Sequence, residues 1–452
     1  MANRDHLSLR LSTMKFSQIP ELFGLYSLPV VEADPRKYMD FNVFMVRTVG
    51  LLPNVAPPGR QRVASIALNW LVRSWLGLHV LSELCDIYQN ILNVSALAKN
   101  VTVTFVALGA WIRHIFYSQR EASYYSLVDT VSKRFVSTAF TSSPQRCSMS
   151  RYIRQSRMTV VVYFMYGCVV IWYWLCHPMF SPARLIYDDV TNTTREVWDF
   201  PCGAWYPFDA TTPGVYGFVY FFQSVGIFLG GYMIMVTDMM FISLSLVICG
   251  QLEILNDSLR HILETAASTF HGDTTDFKQE EGIVAKISTN SSYLIGEINS
   301  ILTWCVEHHN MLLKLIKDVE KLHWFNMLID FTFQLVILSF LAFEATTVTV
   351  SNRMKIANIV TYLTLAILQL FLLCRSGDKL MEQQESIAGA VYDSRWYDCP
   401  ESFRRSLRII VLQARQPVKV TAGKVGSLDM DTFSGTLSKA FSYFTVLREI
   451  RG

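Results

Sequence analysis

The feature that most constrains this fold is a series of apolar segments, each long enough to cross a lipid bilayer as a helix. An α-helix rises 1.5 Å per residue, so about 20 residues span the roughly 30 Å hydrocarbon layer. Only 17% of the residues are charged, against about 25% in soluble domains. Helical spans are predicted at residues 63–88, 94–116, 158–177, 214–250, 324–347, 354–374 and 431–450. The sequence therefore predicts an all-α integral membrane protein with seven transmembrane helices.

The positive charges predict how these helices are oriented. The segments on one side of the predicted bundle are residues 1–62, 117–157, 251–323 and 375–430, and they carry 30 of the 40 Lys and Arg residues. The longest segment on the other side, 178–213, carries two. Because Lys and Arg accumulate in cytoplasmic loops, we expect a cytosolic amino terminus and an extracellular carboxyl terminus. This orientation is opposite to that of a G-protein-coupled receptor.

Two modifications are predicted on the external side. Asn192 begins an Asn-Thr-Thr glycosylation sequon in the longest external loop. Cys176 and Cys202 both lie on this oxidising side, so a disulfide between them is a possibility that rests on the compartment alone.

Apolar residues continue at helical spacing beyond spans four and five, which predicts helices that project into the cytosol and pair there. The predicted organisation is a cytosolic amino-terminal arm at 1–62, transmembrane helices 1–4 at 63–250, a cytosolic helical extension or anchor at 251–323, transmembrane helices 5 and 6 at 324–375, a cytosolic anchor helix at 376–430, and a pore-lining helix 7 at 431–452.

Catalytic and metal-binding patterns are missing from the sequence. It has no HExxH, GxSxG, GxGxxG or Walker A motif, and its net charge of +3 does not favour nucleic-acid binding. His308 and His309 are adjacent, so they lie on different helix faces, and we interpret them as solvated residues rather than metal ligands. We therefore predict no enzymatic activity, no cofactor and no metal.

Aromatic and small residues cluster in the outer half of the predicted bundle. The set comprises Phe164, Gly167, Ile171, Trp174, Tyr216, Tyr220, Gln223 and Tyr362. One interpretation is an interfacial aromatic belt combined with core packing. The other is a small, mostly apolar pocket between helices, which suits a volatile or lipophilic ligand. Under the second interpretation, Gly167 makes room for the ligand beside Trp174.

The last span carries a polar stripe formed by Thr436, Lys439, Ser442 and Tyr443. Polar groups are costly in hydrocarbon, so the stripe favours a helix that lines a water-filled pore. Val446 and Ile450 follow on one face, and a ring of such residues from several subunits would gate a pore by dewetting. The alternative is an ordinary packed span, in which Lys439 extends to the interface and Ser442 bonds to its own helix.

The end of the chain also resembles a known family. The segments that carry the resemblance are Gln-Pro-Val-Lys-Val-Thr-Ala-Gly-Lys at 416–424, Asp-Thr-Phe at 431–433 and Ser-Tyr-Phe-Thr-Val-Leu-Arg at 442–448. In residue type and spacing they are similar to the carboxyl-terminal signature of insect odorant receptors. A Gly-Leu-Leu-Pro element at 50–53 agrees as well. Because its loop between spans four and five is short, the chain resembles a ligand-tuning receptor of this family more than the shared co-receptor.

The resemblance implies an odorant-binding subunit of a ligand-gated, non-selective cation channel. Such subunits assemble as heterotetramers with the odorant co-receptor, bind a small volatile organic ligand, and lie in the plasma membrane of an olfactory sensory neuron dendrite. By the same resemblance, the last span lines the pore and Val446 and Ile450 form its gate. The alternatives are a gustatory-type receptor channel of the same superfamily and, as a different class, a G-protein-coupled seven-helix receptor.

Overall fold

A computed structural model describes residues 39–51, 59–92, 94–135, 143–180, 184–188, 193–212, 214–271, 292–347 and 353–451. These residues form eleven α-helices, which are α1 Asp40–Thr48, α2 Arg60–Gln89, α3 Val94–Gln119, α4 Glu121–Arg134, α5 Ser143–Cys176, α6 Val215–Arg260, α7 Ile262–His271, α8 Ser292–Thr347, α9 Arg353–Asp393, α10 Glu401–Ala414 and α11 Met430–Arg451. Short 3₁₀ helices follow α5 at His177–Phe180 and α9 at Trp396–Asp398.

Two antiparallel hairpins complete the described structure. β1 (Arg184–Asp188) pairs with β2 (Thr193–Val197) in the loop between α5 and α6. β3 (Thr421–Ala422) pairs with β4 (Gly426–Ser427) just before α11.

By length and composition, five of the described helices are apolar enough to cross a membrane. These candidate spans are Asn100–Gln119, Ser148–Phe180, Val215–Arg260, Ile295–Thr346 and Arg353–Asp393. The other two predicted spans correspond to α2 and α11. Both are more polar, because α2 carries Arg73, His79 and Glu83 within its length, and α11 carries Lys439.

Helix α6 occupies the centre of the molecule. Its apolar 18-residue segment is 94% buried, and nearly every side chain from Tyr232 to Leu259 is buried in the core. A helix that is hydrophobic on all sides is expected to be buried in this way. α6 packs against α5, α9, α3 and α8, so it joins the helices that surround the site described below.

Helices α8 and α9 continue far past the thickness of a bilayer. α8 has 56 residues and α9 has 41, which correspond to lengths of about 84 Å and 62 Å. The far part of α9 packs against α10, whose apolar stripe of Phe403, Leu407, Ile410 and Ala414 is buried. These extensions form a helical layer beyond the apolar spans.

The described part of the amino-terminal arm is integrated into the core. In α1, Val43 and Val46 are buried, and α1 packs against α6. The Thr48 hydroxyl and the Tyr232 hydroxyl are hydrogen-bonded at 2.6 Å. The arm therefore contributes a helix to the main bundle.

The Thr-Ala-Gly-Lys segment builds the turn of the second hairpin. Gly423 and Lys424 both have left-handed backbone conformations, with φ of 64° and 60°. The Gly423 N–H donates to the Trp324 carbonyl at 2.9 Å, and a Cβ at Gly423 would lie 2.7 Å from Leu328. Glycine is favoured here because it adopts the left-handed conformation without strain and because the Leu328 side chain occupies the space that a Cβ would need.

Asp429 caps the start of α11. Its carboxylate accepts hydrogen bonds from the Thr432 N–H at 2.8 Å and from the Ser427 hydroxyl. Burial alone would raise the pKa of Asp429, but the hydrogen bonds from Ser427 and Thr432 lower it below the ordinary Asp value. The cap thus connects the β3–β4 hairpin to the first turn of the last helix.

Asp429→Ala is expected to destabilise the protein by about 1 kcal/mol, because the Thr432 N–H loses its partner. The measurement is the thermal unfolding midpoint of the purified protein in detergent. Since the folded-state pKa of Asp429 is lowered, the contribution is present at neutral pH and disappears as the pH falls through the acidic range. Asp429→Asn, which keeps a capping oxygen, is the matched control, and equal loss in both variants would contradict the capping role.

Candidate functional site

A cavity of about 100 Å³ lies between α3, α5, α6, α8 and α9. A cavity that holds one water molecule has a volume of about 10–15 Å³ when it is measured in the same way. The space therefore suits a small organic molecule. Its walls are mostly apolar and include Phe105, Ile171, Trp174, Phe333, Ile337 and Tyr362. Five different helices each supply part of the lining, so the cavity exists only in the assembled bundle.

Two edge-to-face aromatic pairs shape the walls. Trp174 of α5 contacts Tyr362 of α9 with ring centroids 5.5 Å apart and an interplanar angle of 76°. Phe105 of α3 contacts Phe333 of α8 at 4.9 Å and 79°. The Trp174 indole N–H donates to the Pro201 carbonyl at 3.0 Å, which ties this wall to the loop before α6. Such pairs add about 0.5–1.5 kcal/mol beyond burial and fix the ring orientations.

The cavity also has a polar region built around Arg113 of α3. Its guanidinium is buried and pairs with Asp238 of α6 at 3.4 Å and with Asp330 of α8. Gln369 of α9 donates to both carboxylates, at 2.7 Å to Asp238 and 3.2 Å to Asp330. The Tyr163 hydroxyl of α5 donates to Asp238 at 3.1 Å. One network of buried polar groups therefore connects all five helices of the cavity.

Some polar atoms of this network have no hydrogen-bond partner among the described residues. They are Asp330 Oδ2, Gln334 Oε1 and Arg113 Nε. Arg113, Asp330 and Gln334 all line the cavity. Because buried polar atoms are normally paired, two acceptors and one donor are available to a molecule that enters this space.

Three of the eight predicted binding residues line the cavity, namely Ile171, Trp174 and Tyr362. Phe164 and Gly167 pack behind the wall. Phe164 contacts the Tyr232 ring at 6.0 Å, and a Cβ at Gly167 would lie 2.0 Å from Met235 Sδ. Met235 itself lines the cavity, so Gly167 makes room for a wall residue rather than for a ligand.

Tyr216, Tyr220 and Gln223 lie outside the cavity. Tyr216 and Gln223 hold the loop before α6, and Tyr220 bonds to the end of α5. The Tyr216 hydroxyl donates to the Asp199 carbonyl at 3.2 Å, and the Tyr220 hydroxyl donates to the Leu175 carbonyl. Gln223 accepts the Cys202 N–H at 3.3 Å and donates to the Tyr206 hydroxyl at 3.2 Å. Position near the external end of a span was therefore insufficient to identify the lining.

Arg113, Asp330 and Gln334 line the cavity but are not among the residues predicted from the sequence. A signal for them was present, because charged and polar residues within apolar spans are usually paired inside a bundle and functional. Arg113 lies in the second predicted span, and Asp330 and Gln334 lie in the fifth. These charged and polar residues within apolar spans, and not the aromatic residues alone, indicate the polar part of the site.

The suggested disulfide between Cys176 and Cys202 is wrong, because both thiols are free. Cys202 is buried and its backbone is held by Gln223. Its Sγ, a ring nitrogen of His79 and a carboxylate oxygen of Glu83 lie within 4.8 Å of one another. Asn192, the predicted glycosylation site, lies outside the described residues.

The adjacent histidines are not solvated as predicted. His308 and His309 are both buried, and the His308 ring stacks on Trp304 with centroids 5.1 Å apart. Helix α8 packs against α6 and α7, and both imidazole rings are thereby removed from solvent.

The polar stripe of α11 divides between two faces. Thr436 is buried, and its hydroxyl donates to the Thr432 carbonyl at 2.7 Å. Lys439, Ser442, Tyr443 and Val446 are exposed in the single chain. The Ser442 hydroxyl donates to the Ser438 carbonyl at 3.0 Å. The side chain of Ile450 lies outside the described residues.

The chain matches the family described as 7tm Odorant receptor over residues 82–441. Odorant receptor 83a of Drosophila melanogaster is 24% identical over 329 residues, which are 67% of this chain and 69% of that protein. The odorant receptor coreceptor of Aedes aegypti is 22% identical over 420 residues, or 81% of this chain and 87% of that protein.

A solved structure shows the same fold. The olfactory receptor OR5 from Machilis hrabei, in complex with eugenol, is similar with a TM-score of 0.73 at 17% identity, and the alignment covers 92% of this chain and 98% of that one. The prediction of an all-α membrane protein with seven transmembrane helices is thereby confirmed.

Arg113→Met is expected to destabilise the protein by about 3–5 kcal/mol, because it leaves two buried carboxylates without their cation. Unfolding of the purified protein in detergent, followed by heat or denaturant, measures the change. Arg353→Met is the matched control, since Arg353 is exposed at the start of α9 and should change stability by only about 0.5 kcal/mol. Similar losses in the two variants would show that the network does not hold the helices together.

Proposed function

Because this chain belongs to the 7tm odorant receptor family, we propose that it is the odorant-binding subunit of a ligand-gated, non-selective cation channel formed with the odorant co-receptor. The chain is a receptor and not an enzyme. In the proposal, a small volatile organic molecule binds inside the bundle and changes the conformation of the last helix. The setting is the plasma membrane of an olfactory neuron dendrite.

The observation that carries the proposal is the cavity among α3, α5, α6, α8 and α9. Its aromatic and aliphatic walls bury apolar surface, and its polar region supplies a few hydrogen-bonding atoms. This combination is typical of sites for small molecules, in which apolar contact provides affinity and a few polar groups provide orientation. The position of the cavity inside a membrane bundle suits a lipophilic ligand.

The polar atoms that face the cavity indicate the chemical class of ligand. Asp330 Oδ2 and Gln334 Oε1 are acceptors without a partner among the described residues. The Arg113 cluster carries one cationic and two acidic side chains, so it does not favour an anion. We therefore favour a small alcohol or amine over a hydrocarbon or a carboxylic acid.

The partner proposal rests on the relatives and on helix α11. Several of the relatives are odorant receptor coreceptors, and α11 packs on α8 and α9 by one face only. Its other face exposes Lys439, Ser442, Tyr443 and Val446. We propose that this face meets co-receptor subunits and a shared pore, with Val446 and Ile450 at the gate. Thr436 faces the bundle and is left out of the pore lining.

The test of ligand binding is expression of the chain with an odorant co-receptor, followed by current recording against alcohols, amines, acids and hydrocarbons of matched size. Gln334→Met should raise the half-maximal concentration of alcohols and amines by roughly 5–30-fold, corresponding to about 1–2 kcal/mol for one lost hydrogen bond. Responses to hydrocarbons should change less, because Met preserves the apolar volume.

Tyr216→Phe is the matched control for this experiment, because Tyr216 lies outside the cavity. It should leave the concentration dependence unchanged. A stronger effect of Tyr216→Phe than of Gln334→Met would place the binding site near the external loop and reject the cavity. Currents from the chain expressed alone would reject the requirement for a co-receptor.

Val446→Ala should increase the current in the absence of odorant, because a smaller side chain widens a hydrophobic constriction and favours its wetting. The measurement is basal current relative to odorant-evoked current in cells with equal surface expression. Val360→Ala removes the same atoms from another exposed position, on α9, and should leave the ratio unchanged. If both variants behave like the parent, the pore assignment of Val446 fails.

A further inference from the structure

A second group of buried polar residues lies apart from the cavity, where the end of α2 meets the loop before α6. His79 and Glu83 are one helical turn apart on α2, and Cys202 approaches from the loop. His79 and Glu83 are 0% exposed and Cys202 is 6% exposed. None of the three lines the odorant cavity, so the inference does not rest on the proposed function.

The polar atoms of the two helix residues are unusual for a buried site. Neither ring nitrogen of His79 has a hydrogen-bond partner among the described residues, and the Glu83 carboxylate faces the Cys202 thiol. His79 Nε2 lies 3.4 Å from Glu83 Oε1, and one ligand-type atom from each of the three residues lies within 4.8 Å of the others. Burying such groups costs several kcal/mol unless something compensates them.

The loop that carries Cys202 is fixed in place by three hydrogen bonds. The Cys202 N–H donates to Gln223 Oε1 at 3.3 Å. The Trp205 N–H donates to the Ser82 carbonyl at 3.0 Å, and the Trp174 indole N–H donates to the Pro201 carbonyl at 3.0 Å. Cys202 is thus held against α2 by contacts to α2, α5 and α6.

The imidazole of His79 is also held by packing. A Cβ at Gly226 of α6 would lie 2.5 Å from the His79 ring, so this ring occupies the space that a side chain there would need. Phe222 contacts the same ring from one turn earlier, with centroids 6.0 Å apart. The orientation of the ring is therefore determined by α6 and not only by its own helix.

We propose that His79, Glu83 and Cys202 form a metal site that takes a borderline divalent cation, with Zn²⁺ as the best match. Nitrogen, carboxylate oxygen and sulfur are the donors that Zn²⁺ binds, whereas Ca²⁺ and Mg²⁺ require oxygen alone. A thiolate and a carboxylate neutralise the two charges of the ion, which suits a buried position. Three protein ligands leave one coordination position for a further donor.

The distances are compatible with tetrahedral coordination. Bonds of about 2.0–2.3 Å place the ligand atoms of tetrahedral Zn²⁺ roughly 3.3–3.7 Å apart. The His79 and Glu83 atoms already have this spacing, at 3.4 Å. The three ligand atoms lie within 4.8 Å of one another, so Cys202 Sγ needs to move by no more than about 1.5 Å, which requires a substantial rotation about χ1 of its side chain.

The test uses the purified full-length chain in detergent and Co²⁺ as a spectroscopic probe. A Co²⁺–thiolate bond produces a charge-transfer absorption band, and we expect one equivalent of Co²⁺ to generate it and Zn²⁺ to displace it. Cys202→Ser should abolish the band, and Glu83→Gln should weaken Co²⁺ binding by about tenfold or more. Cys176→Ser, which changes the cysteine at the end of α5, should retain the band.

No band in the parent protein, or the same band in Cys202→Ser, overturns the proposal. A second measurement guards against a variant that fails to fold. In the parent protein with one equivalent of Zn²⁺, X-ray absorption at the zinc edge should show one sulfur neighbour at about 2.3 Å. If the spectrum shows only nitrogen and oxygen neighbours, the thiol is not a ligand, and the three residues form only a buried polar contact.

Discussion

The arrangement of the bundle depends on one buried cation, the guanidinium of Arg113. It pairs with Asp238 and Asp330, and Gln369 joins the same two carboxylates, so α3, α6, α8 and α9 meet at a single point. In a membrane, hydrophobic burial does not distinguish the inside of a bundle from the lipid, so polar contacts and close packing specify how the helices associate. The same network supplies the polar part of the cavity. Arg113, Asp330 and Gln369 therefore both join the helices and line the cavity.

The helices were predictable because their cause is local. Apolar length and helical periodicity are properties of a continuous segment, and α3, for example, begins at the predicted residue and ends a few residues later, at Gln119. The cavity was only partly predictable, because its lining depends on how distant helices rotate against each other. Ile171 and Trp174 line it, whereas the Tyr216 and Tyr220 hydroxyls bond to the loop before α6 and to the end of α5. No local pattern separates the two pairs. The buried charges were visible in the sequence, but their partners were not.

The group of His79, Glu83 and Cys202 shows the same limit more clearly. The two helix residues have the spacing of neighbours on one face, which a sequence reveals. The third residue belongs to a loop whose position is determined by hydrogen bonds to Ser82, Gln223 and Trp174. For Cys202, the compartment alone therefore suggested only a possible disulfide, whereas the structure directs its thiol toward α2. Three-dimensional placement of a loop changed the chemistry that its cysteine can perform.

Helix α11 differs from α6 in a way that bears on the unit of function. From Tyr232 to Leu259, α6 is buried on all sides within one chain, but α11 buries only the face that carries Thr436 and Ala440. Its opposite face presents Lys439, Ser442 and Val446 outward, and polar side chains at membrane depth need water or another protein surface. One chain therefore covers this part of α6 completely but covers only one face of α11. We infer that the cavity forms within one chain, whereas the surroundings of the last helix come from outside it, from water in the proposed pore or from co-receptor subunits.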